Sequence, residues 1–173
     1  SQIDLICLRE GSPPLAHLPP LAEARGWRPE LSVQDVCPRV ALPGDWESYL
    51  ARLSKKDRHE LRRKLRRLKS FDLERCYLGE NVDEDLENFF ILHRESNPEK
   101  AEFMDERMER FFRRVASDFS RSSEYGMYIM EIEGKPVSAA MCFFTPQELL
   151  LYNSGFRRDH SHLSVGLLLK AYC

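Results

Sequence analysis

A polar loop, Arg157 to Leu163, runs into Ser164-Val165-Gly166 at the head of the apolar stretch Leu167 to Tyr172. Small residues at the first turn of a helix suit an anion. The first helical N–H groups lack partners, the macrodipole is positive there, and a missing side chain lets phosphate approach the backbone. Ser164 serves equally as an ordinary N-cap and Gly166 as a packing glycine, so the motif alone leaves both readings open. His93, in Leu92-His93-Arg94, has the ordinary titration range of a general base, while its place on an apolar helical stripe is also that of a core histidine. Asp159-His160-Ser161-His162 contains a His-x-His on a loop with no further ligands, and no metal is expected there. Glu131 and Glu133 share one strand face, as a base or as a solvated edge. The densest feature is charge. Ser54 to Ser70 carries nine Lys or Arg against two acids, a local +7, so the rest of this chain of net charge −2 carries −9. Such a run either solvates an amphipathic helix or attracts a polyanion. No Phe, Trp or Tyr lies between Tyr49 and Phe71 to stack on bases, which argues against sequence-specific reading of RNA.

The elements that must position these residues follow from apolar spacing. Ile3, Leu5, Ile6 and Leu8 predict a short strand. After Pro13-Pro14, Leu15 to Arg25 is helical with Gly26 at its C-cap, and Leu31 to Leu42 is extended. Asp45 caps a helix whose stripe is Trp46, Tyr49, Leu50 and Leu53. Ser54 with Asp57 opens a second helix, with Leu61, Leu65 and Leu68 as its apolar line. Two longer helices follow: 83–97, with Leu86, Phe89, Phe90 and His93 on one face, and 105–119, with Met108, Phe111, Phe112, Val115 and Phe119. The period then shortens. Tyr125 to Ile132, Val137 to Phe144 and Leu149 to Phe156, separated by Glu133-Gly134-Lys135-Pro136 and Thr145-Pro146-Gln147-Glu148, predict a three-stranded antiparallel meander.

Composition bounds what these elements can be. With 173 residues, 42% hydrophobic and 31% charged, the chain buries a real core and is not disordered, and one domain is the prior from length. No apolar run approaches a membrane span and the opening residues have no signal-peptide pattern, so a cytoplasmic protein is expected. Five cysteines, widely scattered and without a C-x-x-C pair, fit reduced thiols better than a disulfide framework or a zinc site.

Taken in order, LPGDWESYLARLSKKDRHELRRKLRRLK (42–69), FFILHRE (89–95), EIEGKPVSAAMCFF (131–144) and LLLYNSGFRRDHSHLSVGLLL (149–169) resemble the CelD-type branch of the GNAT acyltransferases, which is related to the FemAB peptidyltransferases. The resemblance implies an α/β GNAT-like fold, a mixed, mainly antiparallel sheet flanked by helices, incomplete or permuted in this chain. Residues 1–42 are similar to the tail of a first GNAT half. Residues 43–173 would begin a second, with a basic helical segment 45–70, the helices 83–97 and 105–119, the meander 125–156 and a phosphate-type loop and helix 157–173. It also implies transfer of an acetyl or other acyl group from a CoA thioester to an amine on a small molecule or on the cell envelope. The donor strand Leu149 to Ser154, through Leu151 and Tyr152, would bind pantetheine. The loop with Ser161, Ser164, Val165, Gly166 and Leu167 would hold the pyrophosphate.

His93, Tyr152 and Asn153 become the catalytic candidates, and because strand neighbours point to opposite faces, only one of Tyr152 and Asn153 is expected to reach the reacting groups. FemAB relatives use aminoacyl-tRNA, which the Lys55 to Lys69 stripe would attract. A non-catalytic module docking an acidic partner is the remaining alternative. Since the chain reaches Cys173 before the strand that completes a GNAT sheet, the first strand is expected to pair within the sheet, from its own chain or by exchange between protomers, with weak turnover by this chain alone.

Overall fold

The computed structural model describes residues 2–70 and 75–173. The chain divides into two compact units, Ser1–Tyr49 and Leu50–Cys173. In the first, α1 (Pro13–Glu23) begins on Pro13 and Pro14, where a missing N–H costs nothing, and none of its residues is buried. Gly26 closes it at φ +77°, its N–H 2.9 Å from the Glu23 carbonyl. The strands expected at Ile3 to Leu8 and Leu31 to Leu42 do not form. Neither segment joins a ladder, Cys7 turns to φ +58°, and Ile3 and Val33 are 68% and 86% exposed. Apolar alternation makes a segment fit for a sheet but cannot supply the neighbour that takes its N–H and C=O groups. Here a bond from Cys7 N to the Gln34 side chain (3.0 Å) links the two segments, not a backbone pair. α2 (Trp46–Arg52) follows, and the Asp45 carboxylate accepts from Ser48 N at 2.9 Å, as a cap should.

In the second unit, α3 (Lys55–Leu68) starts where predicted, with Ser54 Oγ accepting from Asp57 N at 3.1 Å. It is followed by β1 (Arg75–Leu78), α4 (Val82–Ser96), α5 (Pro98–Phe103) and α6 (Glu106–Ser120). The three strands β2 (Tyr125–Ile132), β3 (Lys135–Phe144) and β4 (Leu149–Phe156) then lead through a 3-10 turn, Arg158–Leu163, into α7 (Val165–Tyr172). Asn81, Asn97 and Asp105 cap α4, α5 and α6 through their side chains. The short β1 and α5 carry too few residues for a period to be read from sequence.

The strands form one antiparallel sheet in the order β1-β2-β3-β4. All four described strands come from the second unit. Both faces of the sheet are covered. Met127, Ile129, Ala139 and Met141 face α4 and α6, while Met130, Ile132, Val137, Ala140 and Cys142 face α3 and α7. This is why β2 and β3 read as continuous apolar runs and not as alternating ones. The arrangement is an α/β layer structure, its sheet antiparallel throughout the described strands and flanked by helices, as expected. No helix among the described residues is long and apolar enough to cross a membrane.

Candidate active site

β4 is an edge strand, paired to β3 on one side only. Leu151 pairs with Cys142 and Asn153 with Met141, so Tyr152 is an extra residue, a β-bulge. The bulge overturns the expectation that Tyr152 and Asn153 face opposite ways. Tyr152 packs edge-on against Phe112 of α6 (5.8 Å) and Phe143 (5.9 Å), and Asn153 lies opposite Met141 of the same core. Both catalytic candidates on β4 therefore belong to the face that carries α4 and α6.

His93 lies on that face too. Beside it, β4 and α4 approach until a Cβ at Gly155 would sit 2.4 Å from the His93 backbone nitrogen. The imidazole is 1% exposed, between the rings of Phe89 (5.4 Å) and Phe103 (5.9 Å), and neither ring nitrogen has a hydrogen-bond partner. Burial pushes its pKa down to about 4, with the Lys100 charge acting in the same direction. The nearby Asn153 side chain and Lys100 backbone pull it back only in part. The sequence allowed either a base of ordinary pKa or a core histidine. The structure places His93 in the core as a neutral ring with two orphaned nitrogens.

Lys100, on α5, was not singled out from the sequence because it sits in a six-residue helix with no readable stripe. Its ammonium donates to the Ser154 carbonyl, and burial holds its pKa below the usual lysine range. Ser154 N donates to Asn153 Oδ1 (2.8 Å), and Phe156 N donates to Ser96 Oγ (2.9 Å). Polar side chains thus engage β4 backbone groups beyond the β3 ladder, and an extended ligand pairing along this edge would compete with them.

Beyond β4 the basic helix meets the loop. Lys64 Nζ donates to Ser164 Oγ at 2.6 Å, and Arg67 Nη1 reaches the His162 carbonyl at 3.4 Å. Ser164 adopts φ +59° and makes no side-chain cap, and its Oγ accepts from Lys64. The first bonds of α7 run from Leu167 N and Leu168 N to the Ser164 carbonyl, so the N–H groups of Val165 and Gly166 precede them. Gly166 packs against Phe156, whose ring would lie 3.3 Å from an added Cβ. Ser164 N donates to the Ser161 carbonyl (2.9 Å), and Leu151 and Leu167 are exposed at 37% and 52%.

A family model for the acetyltransferase (GNAT) domain matches residues 55–173, from α3 through α7. The chain belongs to the GNAT family. No curated protein matches it.

In this GNAT domain the other sequence candidates have local partners. His160 Nδ1 lies 2.7 Å from Asp159 Oδ1, and His162 Nδ1 lies 3.0 Å from the Asp159 carbonyl. Among the described residues no three His, Cys, Asp or Glu side chains gather as metal ligands would. Glu131 accepts the Tyr77 hydroxyl at 2.6 Å across the β1–β2 pair, so it is not a free base. The Arg157 guanidinium ties the loop down, donating to the Pro136 carbonyl (3.0 Å) and pairing with Glu95 (3.6 Å).

Proposed function

We propose that this GNAT domain moves an acyl group from an acyl-CoA thioester to a primary amine, with the donor along the bulged edge of β4. The observation that carries the reading is the bulge at Tyr152. It breaks the regular edge where His93, Asn153 and Lys100 converge on one side and the Lys64–Ser164 contact lies beyond the strand on the other. Lys64, Arg67 and the first N–H groups of α7 would receive the phosphates. Leu151 and Leu167 would form an apolar wall for the pantetheine arm. Phe111 and Tyr152, both more than half exposed, would form the acceptor side.

In the reaction the neutral amine attacks the thioester carbonyl, a C–N bond forms, the C–S bond breaks, and the CoA thiolate leaves with the proton that nitrogen sheds, directly or through water. A backbone N–H of β4 would stabilise the oxyanion. With its ring 1% exposed and its pKa held near 4 by burial, His93 packs behind β4 as a neutral group and is not a store for the proton. The CelD-type resemblance makes a cell-envelope or exopolysaccharide amine the acceptor and the cytoplasm the site of transfer.

Calorimetry tests this with acetyl-CoA and bulk tRNA in parallel, at two salt concentrations, on the wild type and on Lys64→Met. Saturable acetyl-CoA binding, weakened about tenfold by loss of one charge-assisted contact, is the expected result. Binding of tRNA alone would move the donor to aminoacyl-tRNA, for which the exposed cations of α3 are the motive. Binding of neither would leave a non-catalytic module and refute acyl transfer.

A further inference from the structure

The geometry points to Lys100 as a site of self-acylation, its side-chain amine taking the acyl group of a thioester bound along the free edge of β4. The inference rests on the acyl-CoA reading above and adds to it an acceptor that the chain carries itself.

Lys100 is built into the strand edge. Ser154 stands opposite Ala140, yet its N–H donates to Asn153 Oδ1 and its carbonyl accepts from the Lys100 ammonium, so both backbone groups find partners outside the β3 ladder. That is the pattern of a residue turned toward the free edge. Phe156, two residues on, turns the same way and donates its N–H to Ser96 Oγ at 2.9 Å. The stem that carries the amine is fixed at its root. Lys100 N donates to Asn97 Oδ1 at 2.7 Å, and the Lys100 carbonyl accepts from Met104 N at 3.1 Å.

A donor held by its phosphates at the start of α7 would run back along β4, past Phe156 and Ser154, to the bulge at Tyr152. An arm pairing with Ser154 takes the place of the lysine on that carbonyl. The amine is then released two residues, about 7 Å, from the bulge, within the sweep of its four-carbon stem. It must be neutral to attack. Burial and, after it, the Lys170 charge hold its pKa below the usual lysine range, and no carboxylate acts against them. Nζ attacks the thioester carbonyl, a C–N bond forms and the C–S bond breaks. The proton that nitrogen sheds leaves with the CoA thiolate as the free thiol. The product is an uncharged amide with one N–H left to donate to the Ser154 carbonyl, and its formation competes with transfer to an outside amine.

The test is peptide mapping by mass spectrometry after incubation of the wild-type chain with acetyl-CoA, beside acetyl phosphate, an acyl donor with no pantetheine arm. With acetyl-CoA, Lys100 should gain an acetyl group at least tenfold faster than Lys55, Lys56 and Lys135, which are exposed and lie on other elements. With acetyl phosphate that preference should disappear. Lys100→Arg, which keeps the charge and a donor for Ser154, should lose the label at this position and gain none elsewhere. Calorimetric binding of acetyl-CoA with Lys100 unlabelled, or labelled no faster than the exposed lysines, would overturn self-acylation and leave acyl transfer standing. An equal preference with acetyl phosphate would assign the label to a reactive amine and not to a bound donor, and would overturn it as well. Absence of acetyl-CoA binding removes the acyl-CoA reading and this inference together. The wild-type map decides alone if the variant does not fold.

Discussion

Replacing Gly155 with alanine should be among the most damaging single-methyl changes in this protein. Gly155 pairs with Ala139 on β3, and its bare face lies against α4. An added Cβ would meet His93 N at 2.4 Å, Leu92 C at 2.5 Å and His93 Cα at 2.7 Å, about 1 Å inside the 3.4 Å at which ordinary contact begins. All three are backbone atoms of a helix, so no rotamer can yield. Nor can α4 withdraw freely, because Ser96 Oγ donates to Leu92 O (2.8 Å) and accepts from Phe156 N (2.9 Å), binding the helix to β4 next to the clash. Overpacking costs about 1–3 kcal/mol where side chains can adjust, and here the cost should be about 3 kcal/mol or more. For a domain of this size that is about 6–12 °C in melting temperature.

Two further glycines calibrate the effect. At Gly126 the added methyl meets the ends of Phe144 and Leu78, which can rotate, so about 1 kcal/mol is expected. At Gly166, inside α7, the contact with Phe156 at 3.3 Å is opposed by a helix-propensity gain of about 0.5–1 kcal/mol, and the change should be near neutral. Urea unfolding at constant m-value measures all three. If Gly155→Ala unfolds at the same midpoint as Gly166→Ala, the claim that β4 and α4 touch through backbone is refuted, and with it the placement of His93 beside Asn153.

Two titrations of opposite sign are expected. His93 is held neutral by the fold with a pKa near 4, while the unfolded chain binds its proton near 6.5. Its contribution is therefore complete above pH 6.5 and is lost as pH falls toward 4, by up to about 3 kcal/mol relative to His93→Phe, measured by urea unfolding across that range. Asp85 runs the other way. Its folded pKa, raised by burial to near 6, lies above the 3.8 of a free aspartate, so stability is lost as pH rises between the two, and Asp85→Asn should exceed the wild type at pH 7 by up to about 3 kcal/mol, with the gap closing at pH 4. An Asp85→Asn protein less stable than wild type at pH 7 would contradict this.

Much of the second unit was legible because its signals are local. The Ser54 cap and the leucine and phenylalanine stripes mark α3, α4 and α6 to within a residue or two, since a helix satisfies its own backbone and needs only one face covered. The meander was legible because β2, β3 and β4 pair with their chain neighbours across short turns. Ile3 to Leu8 carries a strand pattern of similar quality yet has no ladder, and the four-residue β1 carries almost none yet pairs with β2. Strand formation depends on a partner that for β1 lies fifty or more residues away, and that information is absent from the segment itself.

The same division holds for the site. The residue types at 93, 152, 153, 164 and 166, and the excess of positive charge from Lys55 to Lys69, were determined by sequence alone, and so was the family that they suggest. Which of them meet was decided only in three dimensions. One inserted residue at Tyr152 turns two strand neighbours to one face, and burial against Phe89 and Phe103 strips His93 of water and of its basicity. A bond spanning a hundred residues brings Lys64 to Ser164. Each of these depends on distance through space, through desolvation, backbone contact or charge, and spacing along a chain carries no record of distance once the chain has folded back on itself.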